Sequence, residues 1–251
     1  MTVDDVQAVL AASELSPATL RAYGVALRGI LDHAGVDPNP ARSLRLRWLK
    51  SQSEQFSPME AAEVVAILER VSKRLRLPLI VAEQCGHRVG ELAKLTWADV
   101  DEQGCRFRLR RETTKRNRPR WVPVPAWLMD VVADSCPRED RTPERRVFVG
   151  FNVSAARSAM RQACKLAGIA HYHPHDLRHR RVSLWYRRGE NPVQIAEWAG
   201  HSARMSLDVY AHVLVGGEVP VARFLELLGR GGDDTVMTEL PRVARESRSC
   251  A

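Results

Sequence analysis

The sequence predicts a mostly α-helical chain that carries one small antiparallel β-sheet, an α+β architecture. Three observations predict it. Apolar residues recur at helical spacing over most of the length. The period changes to strict alternation once, around residues 105–124. Helix-start and helix-stop signals (Ser-Pro, Asn-Pro, isolated glycines) punctuate the helical stretches.

The elements follow in order. Asp4 to Ala12 reads as a short helix with Val6, Val9 and Leu10 on one face. Ser16 and Pro17 open a second, Ser as N-cap and Pro at the first helical position, and Leu20, Tyr23, Leu27 and Ile30/Leu31 then recur on one side. Asp37-Pro38-Asn39-Pro40 breaks the pattern, and the polar, basic stretch that follows reads as a linker. Ser57-Pro58-Met59-Glu60 restarts the helices with a capping box, and Val64, Ile67, Leu68 and Val71 share one face. Helices over about 77–85 and 88–95 come next. Residues 105–110 alternate, residues 121–124 form a second extended piece, and the polar tip 113–120 joins them in a hairpin or small three-stranded sheet. Helices are then expected over about 126–134, 153–167, 176–188, 192–199 and 206–214. Val219 to Leu228 is a last amphipathic segment, with Val219, Val221, Phe224 and Leu227/Leu228 as its apolar stripe. It can pack on its own domain or on a neighbouring protomer. The expected division is residues 1–42 helical, 43–56 linker, 57–229 the main domain and 230–251 a disordered tail.

The chain has 251 residues, and 38 Lys and Arg against 30 Asp and Glu give a formal net charge of +8. That surplus favours a polyanionic partner. No stretch approaches the ~20 apolar residues of a membrane span, and the acidic N-terminus does not read as a signal peptide. Five widely spaced cysteines without a CxxC point to a reduced, cytoplasmic protein without a cysteine-based metal site.

Four clusters carry chemistry, and each alone has a plainer reading. Gly86-His87-Arg88-Val89-Gly90-Glu91 places Arg88 at a helix start, where backbone donors and a guanidinium suit a phosphate; the plain alternative is a surface pair between Arg88 and Glu91. Lys115, on the tip Thr114 to Arg120, can deliver a proton, or it can simply grip a DNA backbone. In His173-Pro174-His175-Asp176-Leu177-Arg178, His175 and Arg178 are three apart and project from one face. They suit proton exchange and phosphate clamping; a polar cap is the alternative, and a metal site within His171–His179 is the other, although Pro174 disrupts a shared helical face. Gly200 reads as a helix C-cap that puts His201 in a turn, with Tyr210 on the following helix, where packing alone would account for it.

In this order, the boxes GHRVGELAKLTWADVD, TKRNRPRWVPV, HPHDLRH and AGHSARMSLDVYAHV resemble those of the tyrosine recombinase (phage integrase) family from about Phe56 to Val213. The resemblance implies a site-specific recombinase whose active-site residues are Arg88, Lys115, His175, Arg178, His201 and Tyr210. Tyr210 would attack a backbone phosphate and release a 5′-hydroxyl, leaving a 3′-phosphotyrosyl link. Arg88, Arg178 and His201 would stabilise the charge, Lys115 would protonate the leaving oxygen, and His175 would accept the tyrosine proton. Glu91 would orient Arg88. No cofactor and no metal is expected, because two arginines and a lysine supply the charge and the phosphoester bond is conserved. The implied partners are double-stranded DNA and three further copies in a synaptic homotetramer, with no membrane; an accessory directionality factor is left open.

The resemblance also implies that residues 1–42 are part of the family's helical core-binding domain. That domain usually begins with one more helix, so the region reads as incomplete: a compact recombinase, a fragment or a misassigned start. Arg180, Arg181 and Val182 stand where the family usually has small or apolar residues, and Ala199 where leucine is usual. The Arg180–Arg188 region is expected to contribute phosphate contacts. Type IB topoisomerase-like relaxation and a DNA-binding regulator that does not cut are the competing functions.

Overall fold

The computed structural model describes residues 2–42, 58–113, 119–201 and 217–230. They fall into two compact units, one on each side of the junction between Phe56 and Ser57. The expected linker, Lys115 and the hairpin tip around it, the helix expected over 206–214 with Tyr210, and the tail beyond Arg230 lie outside the described residues.

In the first unit, α1 (Val3–Ala11) and α2 (Pro17–His33) close over a small core of Val6, Leu20, Leu31 and Ala41. Ser16 caps α2 as its sequence predicts, accepting a hydrogen bond from the Thr19 amide at 3.3 Å. The apolar stripe is only half used. Tyr23 is 54% exposed and Ile30 63%, so the single buried face expected for Leu20 to Leu31 is not formed in full. Asn39 ties the turn after α2 to the Arg28 carbonyl and to Asp32, at 3.0 and 2.6 Å.

The second unit begins with α3 (Ala61–Arg70), which starts later than Ser57-Pro58 suggested. Glu60 is its N-cap, and the Glu63 carboxylate takes the Glu60 amide at 2.8 Å, a reciprocal cap one turn further on. Helix α4 (Lys73–Cys85) is buried along most of its length and ends at Gly86, whose φ of +64° is left-handed. A Cβ at Gly86 would also lie 3.0 Å from the Trp185 ring, so glycine is required twice over there. The expected helix over 88–95 shrinks to the single turn α5 (Val89–Leu92).

The alternating stretch forms a three-stranded antiparallel sheet, β1 (Val100–Asp101), β2 (Arg106–Leu109) and β3 (Arg120–Pro123), in that order. Alternation sends Phe107, Leu109 and Val122 into the core and leaves Trp121 outside under Arg106. Then come α6 (Ala126–Asp134), α7 (Val153–Ala167), α8 (Pro174–Arg187) and α9 (Pro192–Ala199). The main contacts are α3 on α7 and α4 on α8, around Leu79, Ile80, Met160 and Leu177.

The last described helix, α10 (Val221–Leu227), packs on its own domain, the first of the two arrangements left open by the sequence. Val219, Phe224 and Leu227 are in the core, and Phe224 stacks on Trp127 at 5.9 Å. Arg76 donates to the Leu227 carbonyl at 2.9 Å, and Arg230 pairs with Asp134 at 2.8 Å.

One expectation is overturned. Arg180 and Arg181 are 0% and 1% exposed and make no outward phosphate-binding surface. Both donate to the fully buried Glu83 carboxylate, at 2.6 Å from Arg180 and 3.3 Å from Arg181. Arg181 also binds Glu218 at 3.0 Å, and Arg180 reaches the Gly217 carbonyl. The reason is the packing of α4 on α8: the Glu83 charge faces α8 from inside an apolar helix, and only paired cations can be buried against it. Arg187 and Arg188 on the same stretch do reach the surface. Among the described residues no helix is long and apolar enough to cross a membrane.

Candidate active site

The site is assembled where three segment ends meet: the break between α4 and α5, the first turn of α8, and the carboxyl end of α9. Each end has a local cause. Gly86 stops α4 and turns the chain so that Arg88 becomes the N-cap of α5, with extended backbone. His173 caps α8, its amide held by the Asp176 carboxylate at 2.6 Å, and Pro174 takes the first helical position. His175 and Arg178 are thereby fixed in the first turn. Gly200, at a φ of +64°, ends α9 as expected, and its amide returns to the Ala196 carbonyl at 2.8 Å, leaving His201 half-buried in the turn.

The last carbonyls of a helix lack intrahelical partners and carry the negative end of its dipole. At the end of α9 three consecutive carbonyls, the last that of the C-cap Gly200, are taken by three different arginines. Arg120 donates to the Trp198 carbonyl at 2.9 Å, Arg178 to that of Ala199, and Arg88 to that of Gly200 at 3.4 Å. Arg178 also donates to the Gly86 carbonyl at 2.6 Å, so it bridges two of the three segment ends. Among the described residues one carboxylate, Glu91, serves Arg88 and Arg120 together. It accepts from Arg88 at 2.9 Å and from Arg120 through both oxygens, each at 2.9 Å. Burial pushes the Glu91 carboxyl up, but the Arg120 and Arg88 guanidiniums outweigh it and hold it below the usual carboxylate range. Three guanidiniums against one carboxylate leave a cationic cluster of the kind that holds a phosphate dianion or a pentavalent phosphorus centre.

Of the six residues read from the sequence, Arg88, Arg178 and His201 converge on the α9 end. His175 lies on the exposed side of the same α8 turn as Arg178, its ring 4.5 Å from His179 and edge-on to it. Burial lowers His179 to about 4, with His175 adding to the effect, so His179 is neutral at ordinary pH. Lys115 and Tyr210 fall outside the described residues. His171 and His173 form a separate ring pair at 4.4 Å. Among the described residues no group of three or more His, Cys, Asp or Glu side chains could hold a metal ion.

Two members of the cluster were not read from the sequence. Arg120 looks like one more cation of a basic tip, but strand alternation carries the signal: Trp121 faces out and Val122 in, so Arg120 must face in, opposite Leu109. His87 is wholly buried and edge-on to Phe107 at 5.7 Å. Neither of its ring nitrogens has a hydrogen-bond partner among the described residues, and burial lowers it to about 3. A histidine beside an arginine that sits at a helix start gives no sequence sign of such burial.

A model of the phage integrase family matches residues 56–216. Tyrosine recombinase XerC of Corynebacterium efficiens is 28% identical over 185 residues, covering 71% of this chain and 57% of that protein. XerC of Corynebacterium glutamicum is 28% identical over 135 residues, covering 51% and 43%. The chain thus spans about half the length of these two relatives. Tyrosine recombinase XerA of Thermococcus onnurineus is 24% identical, covering 76% of this chain and 69% of that protein. The Tn1549 transposon integrase, solved in complex with a circular intermediate DNA, superposes with a TM-score of 0.66 at 16% identity, over 85% of this chain and 82% of that one. The XerH site-specific recombinase, solved with a palindromic difH substrate, superposes with a TM-score of 0.63 at 20% identity, over 84% and 69%. At those identities the likeness shows a common fold, and that fold is the helical domain with its three-stranded sheet described above. With the family model covering well over half of the residues, the chain belongs to the phage integrase family of tyrosine recombinases.

Proposed function

We propose that this chain is a site-specific DNA recombinase, a cytoplasmic enzyme that cuts and rejoins double-stranded DNA through a 3′-phosphotyrosyl intermediate. What carries the reading is the meeting of Arg88 and Arg178 on the carbonyls of Gly200 and Ala199, immediately before His201. Two forked cations and an imidazole brought to one turn are suited to the non-bridging oxygens of a phosphodiester in flight.

In this reading Arg88 and Arg178 clamp the scissile phosphate and His201 donates a further hydrogen bond to it. Tyr210 is the nucleophile. An unperturbed tyrosine titrates near ~10, so it needs a proton acceptor, and His175 on the exposed side of the α8 turn takes that role. Lys115 protonates the departing 5′-oxygen. The phosphotyrosyl bond keeps the energy of the bond it replaces, so a 5′-hydroxyl from a second duplex can reverse the step without a nucleotide cofactor. The relatives named as recombinases, and the DNA in the solved transposon integrase and XerH complexes, support DNA as the substrate. Integration or excision of a DNA element is the programme we favour. Residues 1–42 would act as part of a DNA-clamping helical domain, 57–229 as the catalytic domain, and four copies would assemble on two synapsed duplexes.

The test uses a randomised library of nicked suicide duplexes, from which the cleaved 5′ fragment diffuses away. The wild-type chain should become covalently attached to DNA, seen as a denaturant-resistant band, and Tyr210→Phe should bind DNA without forming it. An adduct that persists in Tyr210→Phe would remove Tyr210 from its role. DNA binding with no adduct from the wild type would favour a non-cutting regulator, and relaxation of supercoils without strand exchange a topoisomerase.

A further inference from the structure

Arg120 presents a problem that stability does not solve. Its side chain is 6% exposed, and desolvation pulls the guanidinium below its ordinary pKa even with Glu91 beside it. An apolar residue facing Leu109 across the sheet would fill the position at no such cost, and buried ion pairs commonly contribute nothing net over apolar replacements. What an apolar residue, or a lysine, cannot reproduce is the geometry. One planar guanidinium bridges both Glu91 oxygens with its Nη2 and, from Nε, donates to the Trp198 carbonyl, so two donors at a fixed separation serve two different elements.

The division of Glu91 between its two cations gives that geometry a purpose. A carboxylate alone with one arginine tends to take it as a fork, with two parallel bonds. Here Arg120 reaches both oxygens, the Arg88 amide takes Oε2 at 3.0 Å, and the Arg88 guanidinium keeps one bond, to Oε1. Arg88 is thus held in place by Glu91 without being consumed by it, and 26% of its side chain remains open to solvent. The Arg120 guanidinium also packs against Gly200, where an added Cβ would lie 2.8 Å from its central carbon. Strand β3, the Glu91 carboxylate and the turn before His201 therefore share one rigid connection.

We infer that Arg120 is a positioning residue of the phosphoryl-transfer site, which saturates Glu91 so that Arg88 stays available to the phosphate and which sets the α9 end that aligns Arg178 and His201. The inference rests on the recombinase reading given above. Without Arg120, Glu91 would draw Arg88 into a two-bond fork and away from the phosphate.

The experiment measures single-turnover adduct formation on the best suicide duplex from the library for the wild type, Arg120→Lys and Arg120→Met. Each is run with an ordinary scissile phosphate and with a methylphosphonate there. DNA affinity by fluorescence anisotropy and melting temperature are recorded alongside. Arg120→Lys keeps the charge, so it carries the test if the methionine variant does not fold. We expect Arg120→Lys to slow the phosphate reaction by roughly 10- to 100-fold, the range for one lost donor to a developing anion, with DNA affinity within about 3-fold of wild type. On the neutral methylphosphonate, which demands less cationic stabilisation, the deficit should shrink to under about 5-fold. Equal slowing on both substrates would mean a general structural role and overturn the inference, as would wild-type rates on the phosphate. Absence of any adduct from the wild type would bring down the recombinase reading itself, and the inference with it. An adduct from the wild type with unimpaired Arg120 variants brings down the inference alone.

Discussion

Two arginine clusters lie on opposite sides of α8, and they are built from the same side chain to opposite ends. In one, Arg88 and Arg120 share Glu91, and Arg88, Arg120 and Arg178 donate to neutral carbonyls of residues 86 and 198–200. In the other, Arg180, Arg181 and Arg188 face two carboxylates, Glu83 and Glu218. Arg178 and Arg180 are two residues apart, so the helix turns them about 200° from each other. The acceptors decide what each cluster is for. A carbonyl orients a guanidinium and leaves its charge unspent; a carboxylate orients it and cancels the charge. The first cluster keeps an excess of positive charge for an incoming anion. The second spends two of its three positive charges in joining α4, α8 and the chain that leads into α10.

The sharpest way to separate them is to neutralise the carboxylate of each. Glu83→Gln should cost about 3–5 kcal/mol in urea unfolding, because it leaves the fully buried Arg180 without a carboxylate and Arg181 with Glu218 alone. Glu91→Gln should cost less stability, about 1–3 kcal/mol, since Arg88 is part-exposed and the α9 carbonyls remain; its main effect should be a loss of roughly 100-fold or more in adduct formation. If the two substitutions cost equal stability and equal activity, the distinction between the clusters fails.

Acid should act through the first cluster. His87 is buried without a hydrogen-bond partner among the described residues and lowered to about 3, while an unfolded histidine titrates near 6.5. The unfolded state therefore takes up the proton first. The contribution of neutral His87 is complete above about pH 6.5 and is lost at about 1.4 kcal/mol per pH unit as the pH falls towards the folded value. Between pH 6.5 and 5 that is about 2 kcal/mol. His179, lowered by burial to about 4, acts in the same direction. His87→Leu should flatten the stability profile by about one proton; an unchanged slope in urea titrations at pH 5, 6 and 7 would mean that the ring reaches solvent.

Gly200→Ala meets both a left-handed φ and the Arg120 guanidinium. It should cost about 1–2 kcal/mol and slow adduct formation without weakening DNA binding; a rate equal to wild type would show that the α9 end tolerates displacement. The smallest effect is expected from Glu218→Gln, under about 1 kcal/mol, because that carboxylate is 32% exposed and screened by water. A loss approaching that of Glu83→Gln would make Glu218 an equal partner in the second cluster.

The backbone plan was legible because local chemistry agreed with it. Ser16 and Pro17 announced α2, the alternation of Arg106 to Leu109 announced the sheet, and Gly200 announced the end of α9. Arg88, His175, Arg178 and His201 stood out because short-range order puts each at a helix end. The misses share a cause, since burial of a charge is a tertiary fact. Glu83, inside the apolar run from Leu77 to Cys85, was the one sequence sign that α8 would present cations inward, and it is visible only once α4 is known to pack on α8. Tyr23 and Ile30 failed the other way, as periodicity marks a stripe without saying what covers it.

The three carbonyls at the end of α9 also decide which substitutions the site would feel. The arginines read peptide groups at residues 198, 199 and 200, and every amino acid supplies the same oxygen. Ala199 in place of the family's usual leucine therefore alters a buried volume and leaves the electrostatic frame as it was. Position 198 is equally permissive towards Arg120, although its indole must still fit against Trp185 at 5.3 Å. Only residue 200 is pinned by the frame itself. A lineage could rework the interior of this corner at 198 and 199 while its phosphate clamp kept the same dimensions.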